Sequence, residues 1–253
     1  MLSVAIITFN EEKNIARCLE SVKHLATEIV VVDSLSTDNT KAICESYGVK
    51  FISQAFLGYI EQKNKALEFC TQPYILCLDA DECLSETLQQ SVKSVMQNAN
   101  SADAYVMKRC TSFCGHWIKH GAWYPDKKIR LIKKGKGYWG GTNPHDKIIL
   151  PSEAKLNELK GDILHYSFYT VDEYINQSNK FTTIQAQAML QQNKKSSWVK
   201  ILLNPIVAFI QGYFVKRGFL DGWDGYFIAK TIAYFTRVKY LKLLRLQQNK
   251  SNH

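Results

Sequence analysis

No glycine follows the first apolar run of this chain. The stretch reads "TFNEEKNI", where a dinucleotide-binding turn needs the spacing G-x-G-x-x-G. A Walker loop is absent as well, so neither glycine cradle is available to hold a nucleotide. The opening "MLSVAIITFNEEKN" has no basic leader and no small-residue cleavage site, and is expected to fold rather than to act as a signal peptide. No internal repeat occurs, which excludes a solenoid. No apolar run reaches the roughly twenty residues of a membrane span. The densest, 201–215, interrupts its fifteen residues with Asn204, Pro205 and Gln211. It reads as interfacial or re-entrant, with a core helix pair as the plainer alternative. The seven cysteines are irregularly spaced, a pattern of reduced thiols rather than a disulfide framework.

What is present is a 253-residue chain of 46% hydrophobic content, enough for one large domain or a domain with an appendage. Its charge is unevenly divided. Residues 1–193 hold 21 basic and 21 acidic residues, whereas 194–253 hold 11 basic residues and two acids, Asp221 and Asp224. The whole net charge of +9, with 11 of the 30 aromatics, sits in that last stretch. Such a change of composition marks a second functional unit.

Short β-branched runs at 3–9, 28–33, 49–53 and 74–81 read as buried strands. Between them, helices are expected after Asn10 as a cap, near 38–47 and over 60–70, and Ser85 caps another to about Met96. This alternation predicts a doubly wound parallel sheet. Strands at 104–110, 128–134 and 145–150 predict an antiparallel extension. Residues 170–193 are polar and helical, and from 197 on the chain is apolar, aromatic and basic.

In an open parallel sheet, ligands bind beyond the carboxyl ends of the strands. The first strand ends in Thr8, Asn10 and Glu11, the second in Asp33 and Ser34, the fourth in Asp79 and Asp81, with Glu82 next. Their convergence on one crevice is the expectation. An Asp-x-Asp at a strand end can offer one carboxylate to a divalent ion such as Mg²⁺ or Mn²⁺ and the other to a ribose hydroxyl. Read alone, the same acids could be loop residues or helix caps.

Three segments, "SVAIITFNEEKNIARCLESV", "EIVVVDSLSTDNT" and "YILCLDADE", together resemble family 2 glycosyltransferases of the GT-A fold, over about residues 2–150. The later "WYPDKKIRLIKK", "WGGTNPHDKI" and "GDILHYSFYTVDEY" are similar to β-glucosyltransferases that add a sugar to the inner-core heptose of lipopolysaccharide. The resemblance implies inverting transfer from a nucleoside-diphosphate sugar, UDP-glucose or a similar donor, with Mg²⁺ or Mn²⁺. It implies that Thr8 and Glu11 lie beside the nucleotide, that Asp33 reads the base with Ser34 and Ser36 near it, and that Lys65 approaches the donor phosphates. Asp79 would face the ribose or sugar, and Asp81 would bind the metal. Asp146 takes the position of the catalytic base, where family members often carry the longer Glu. Arg130 and His145 would assist the phosphates or orient the base, while Lys128 reads as solvated. Cys110, Cys114, His116 and His120 fall within eleven residues. That is too tight for a zinc site, and they are expected to shape an acceptor loop with Trp117 and Trp123.

The expected organisation is therefore a nucleotide-sugar-binding half at 1–100, an acceptor-binding and catalytic half at 101–193, and a helical, membrane-associating tail at 194–253. The expected partners are a nucleotide-sugar donor, a membrane-embedded glycolipid acceptor and an anionic membrane surface, with no nucleic acid. The expected location is the cytoplasmic face of a bacterial inner membrane. Rival readings are a polyprenyl-phosphate sugar transferase, a non-catalytic nucleotide-sugar or lipid binder of the same fold, and a basic nucleic-acid-binding protein without a reader motif.

Overall fold

A computed structural model describes residues 1–98, 102–142 and 145–251, the side chains of Thr142, His145 and Ser251 excepted. The chain divides into two compact units, Met1–Arg109 with Asp126–Tyr166, and Cys110–Pro125 with Ser167 onward.

In the first unit, β1 (Leu2–Thr8), α1 (Ile15–Val22), β2 (Glu28–Asp33), α2 (Thr40–Ser46), β3 (Lys50–Ser53), α3 (Tyr59–Phe69) and β4 (Tyr74–Asp79) alternate. The four strands pair in parallel in the order β3-β2-β1-β4. Their apolar runs are continuous because both faces are covered. Leu2, Val4, Ile6 and Val31 pack on one face with Ile15, Cys18 and Leu19 of α1. Ala5, Val30 and Val32 pack on the other with Ala66 of α3.

β5 (Glu82–Leu84), α4 (Glu86–Gln97), β6 (Ala104–Phe113), β7 (His116–Ile118), β8 (Asp126–Lys133), β9 (Tyr138–Thr142), β10 (His145–Ile149) and β11 (Leu156–Phe168) follow. The sheet continues β4-β8-β6-β11-β5, with β8 antiparallel to β4 and β6, and β5 antiparallel to β11. β9 and β10 form a separate antiparallel pair. This is the expected α/β fold with its antiparallel extension, and it differs in detail, with the short β7 and β9 not expected. The fourth strand stops at Asp79, and a turn at Ala80 and Asp81 precedes β5. The long β11 was not foreseen. Asn10 does not cap α1, because its side chain accepts from the Thr37 amide and the helix begins only at Ile15. Ser85 caps α4 as expected, accepting from Leu88 N.

In the second unit, α5 (Val171–Gln191), α6 (Trp198–Ile210), a π-helical turn at Gln211–Val215 and a 3₁₀ turn at Gly218–Asp221 lead to α7 (Gly222–Ser251). Phe113, Ile118, Tyr174 and Ile228 form its core, with Trp123 against them. A boundary was expected near residue 193. In the division above α5 shares a unit with the tail, and it is also tied to α7 by a lysine. Lys242 Nζ donates to Asn179 Oδ1, Thr182 Oγ1 and Thr183 Oγ1, each at 2.8 Å.

At Gly161 the backbone of β11 approaches that of α4 closely. The φ of Gly161 is +95°, and a Cβ there would lie 2.4 Å from Leu88 N. The approach is locked by Ser85, whose amide donates to Asp162 O and whose Oγ accepts from Asp162 N, both at 3.0 Å. Gly161→Ala is expected to cost ~2 kcal/mol or more, from the left-handed backbone and the clash together. Urea unfolding of the two proteins measures it, and a change under ~0.5 kcal/mol would show that β11 does not press on α4 this closely.

Candidate functional site

Parallel pairing fixes which strand ends meet. Thr8 is in register with Asp33, and Ile7 with Asp79, so the polar residues ending β1, β2 and β4 share one edge of the sheet. The loops there are cross-tied. Ser36 donates to Asp33 through its amide (2.9 Å) and its hydroxyl, and Ser36 Oγ accepts from Asn10 N at 2.8 Å. Gln62 Nε2 donates to Ser34 Oγ at 3.0 Å. Thr8 Oγ1 is buried and has no hydrogen-bond partner among the described residues.

Glu82 sits at the centre of an ionic network. It is 1% exposed. Its Oε2 accepts from Asp79 N at 3.0 Å, and its Oε1 accepts from Arg130 Nη2 at 2.9 Å and Arg109 Nη1 at 3.3 Å. Arg130 Nη2 also donates to Asp79 Oδ2 at 3.2 Å. Lys63 Nζ lies 3.0 Å from Asp79 Oδ1 and 2.8 Å from Asp146 Oδ2. The ring of Trp139 stands against both cations, 4.5 Å from Lys63 Nζ and 5.3 Å from the Arg130 guanidinium carbon. Burial pushes the Asp79 carboxyl up, but the charges of Lys63 and Arg130 outweigh it and hold it well below the ordinary range. Burial likewise opposes the charge of Arg130, and Glu82 and Asp79 more than restore it.

A second cluster lies at the turn itself. His165 Nε2 is 3.0 Å from Asp81 Oδ2. Burial disfavours the imidazolium, yet the Asp81 charge and hydrogen bond leave its pKa raised. Burial lifts the Glu11 carboxyl to about 7. The hydrogen bond from Asn14 opposes that rise, and the Asp81 and Asp38 charges add to it.

The structure therefore joins Asp79 and Asp146 through Lys63, places Asp81 and Glu11 in one electrostatic neighbourhood, and sets Asp33 with Ser36. Lys65 is not brought in. It pairs with Glu68 at 2.8 Å on the exposed side of α3. Two helical residues apart is about 200°, so it is Lys63 that turns inward. Arg130 was expected near phosphates, but it is buried in the ionic network instead, with Nε and Nη1 unpaired among the described residues. Lys128 pairs with Asp126 at 3.1 Å. The side chain of His145 lies outside the described residues. Cys110 Sγ contacts the Ile118 carbonyl, His116 pairs with Asp224 and His120 with Asp221, so these residues do not converge as zinc ligands.

Sequence reasoning missed Lys63, Arg109 and His165. His165 lies within the quoted segment "GDILHYSFYTVDEY", two positions from the apolar Ile163 on the same side of a strand, and that was its signal. Among the described residues, no group of three or more His, Cys, Asp or Glu side chains could hold a metal ion. Asp81 and His165 do supply one oxygen and one nitrogen side by side. The carboxylate suits a divalent ion whose remaining positions are filled by water and phosphate oxygens, and the imidazole could join it only on giving up the proton it shares with Asp81.

Comparison with known proteins gives a consistent result. Residues 3–151 match the family described as "Glycosyl transferase family 2". An uncharacterised glycosyltransferase of Rickettsia typhi is 33% identical over 256 residues, covering 98% of this chain and 87% of the relative. The lipopolysaccharide core biosynthesis glycosyltransferase LpsC of Rhizobium meliloti is 30% identical over 247 residues, covering 96% and 91%. Among solved structures, the mannosyltransferase PcManGT from Pyrobaculum calidifontis, in complex with GDP-Man and Mn²⁺, is similar with a TM-score of 0.56 at 14% identity, covering 96% of this chain and 86% of that one. At that identity the likeness shows the fold.

The raised Glu11 pKa has a stability consequence of definite sign. The folded protein keeps a proton that the unfolded chain releases near 4.5. This contribution is present in full below about 4.5 and is lost as pH rises through about 7. Relative to Glu11→Gln, the wild type should lose stability across that window. Denaturant midpoints of both proteins between those pH values test it, and parallel curves would refute the shift.

Proposed function

The chain belongs to glycosyltransferase family 2 and is a glycosyltransferase of the GT-A fold; from that premise we propose that it moves a hexose from a nucleoside-diphosphate sugar to a lipopolysaccharide-core acceptor, by a single inverting displacement. The observation that carries this reading is the meeting of Asp33, Asp79 and Asp81 at one sheet edge, with Asp146 joined to Asp79 through Lys63. The donor class and acceptor class follow the named relative, LpsC, and the GDP-Man-bound neighbour.

Asp33, its carboxylate fixed by Ser36, accepts hydrogen bonds from the base. Asp79 accepts from ribose or sugar hydroxyls. Thr8 Oγ1, unpaired at the end of β1, has a donor and an acceptor to offer the nucleotide. Asp81, joined by His165 once that ring has given up its proton, would hold Mg²⁺ or Mn²⁺, which supplies positive charge to the departing diphosphate. Asp146 takes the proton of the acceptor hydroxyl as that oxygen attacks the anomeric carbon. The bond from that carbon to the phosphate oxygen breaks, and its electron pair leaves with the diphosphate. Lys63, already against Asp79 and Asp146, adds positive charge between the two halves of the reaction.

Two substitutions separate these roles. Asp146→Asn keeps size and removes basicity. It should leave donor affinity near wild type while cutting transfer by about 10²–10⁴-fold. A variant transferring at near-normal rate would remove Asp146 from the role. Asp81→Ala should abolish the part of nucleotide-sugar affinity that depends on added Mn²⁺, as measured by calorimetry across a panel of donors. Unchanged manganese-dependent affinity in that variant would show that the ion is held elsewhere.

A further inference from the structure

The outward side of α6 carries the reverse of a soluble helix's pattern. Trp198, Leu202, Leu203, Ile206, Val207 and Ile210 recur at helical spacing and are between 47% and 66% exposed. The inward side buries Ile201 and Pro205. Over Trp198–Val215 the mean hydropathy is 1.4 and 17% of the stretch is buried. By length and composition alone it could cross a membrane. Its attachment argues otherwise. Ser196 Oγ donates to Tyr240 O, Gln247 Nε2 donates to Lys194 O, and Gly212 lies against Ala229, so α6 runs antiparallel along α7. Insertion across a bilayer would drag Lys230, Arg237 and Lys239 of α7 into hydrocarbon, a costly arrangement. An in-plane position leaves α7 in water and places only the outer stripe in lipid.

Charge selects the surface. No acid occurs between Glu173 and Asp221, while six basic residues do. Exposed Lys194, Lys195 and Lys200 stand at the start of the stripe, and exposed Lys216 and Arg217 at its end. The two acids that follow are turned inward. Asp221 accepts from the amides of Lys119 and His120, and Asp224 pairs with His116. Trp198 and Trp223, 66% and 73% exposed, are the amphipathic rings favoured at headgroup depth.

We propose that the outer face of α6 and the turn after it form an in-plane docking surface for an anionic lipid bilayer. The proposal is independent of the transfer reading, since it concerns binding of lipid alone. The test is co-sedimentation of the full chain with vesicles of phosphatidylcholine, with and without phosphatidylglycerol. The wild type should bind the anionic vesicles at least about tenfold more tightly than the neutral ones. The double variant Leu203→Glu/Val207→Glu should bind them at least about tenfold more weakly than wild type. Circular dichroism checks that the variant folds, as substitutions at exposed positions should allow. Should it not fold, Lys194→Gln/Lys195→Gln/Lys216→Gln, which leaves the stripe intact, should lose most of the preference for anionic lipid. Wild type that ignores anionic vesicles would overturn the proposal, as would variants that bind like wild type. A wild-type dimer in light scattering that Leu203→Glu/Val207→Glu splits, with no vesicle binding, would also overturn it and make the face a contact between copies of the chain.

Discussion

A carboxylate buried as fully as that of Glu82 is tolerated only when its charge and its lone pairs are answered. Here two guanidinium groups and one backbone amide answer it. The amide is that of Asp79, the last residue of β4. The chain must therefore turn back at Ala80 and Asp81, and the turn leaves Asp81 facing His165 across the β5–β11 pair. One internal carboxylate thus fixes both acids of the Asp-x-Asp in place. Three acids in four positions, which looks extravagant at the end of an apolar strand, resolve into three environments. Glu82 is structural, Asp79 is held between cations, and Asp81 is set beside an imidazole.

Much of this was legible in the sequence. The parallel half announced itself because its strands are covered on both faces, and a strand covered on both faces is what a short continuous β-branched run builds. The acids at the strand ends followed from topology, since parallel neighbours must end together. What escaped were features whose partners lie far along the chain. β5 has three residues, too few for any periodicity. β11 alternates polar and apolar residues among Gly, His and Tyr, and its place beside β5 is set by pairing rather than by local pattern. Lys65 was named from the resemblance, which brings this helix to the donor phosphates without fixing which lysine faces them, and the inward side of α3 buries Gln62 and Lys63 along with Ala66. When polar residues occupy the inward positions, apolar spacing no longer tells which side of a helix is inward.

The charge split was also visible in the sequence, yet it said little about shape. Composition placed the basic and aromatic residues in the tail. It did not show that α5 would be pinned to α7 through Lys242, or that α6 would turn its apolar side away from α7. Helix packing decides which apolar residues become core, and a run such as 201–215 is compatible with either outcome until its partner helix is known.

Lys63 serves two carboxylates that stand far apart in sequence, Asp79 on β4 and Asp146 on β10. Removing either one leaves the ammonium with a single counter-ion, and removing the ammonium leaves both acids underserved. The three positions are therefore energetic neighbours, and the free-energy changes of their single substitutions will not sum to that of the combined change. Any apportioning of binding or rate among them calls for a complete set of double and triple variants, because a loss measured at one of the three carries part of the contribution of the other two.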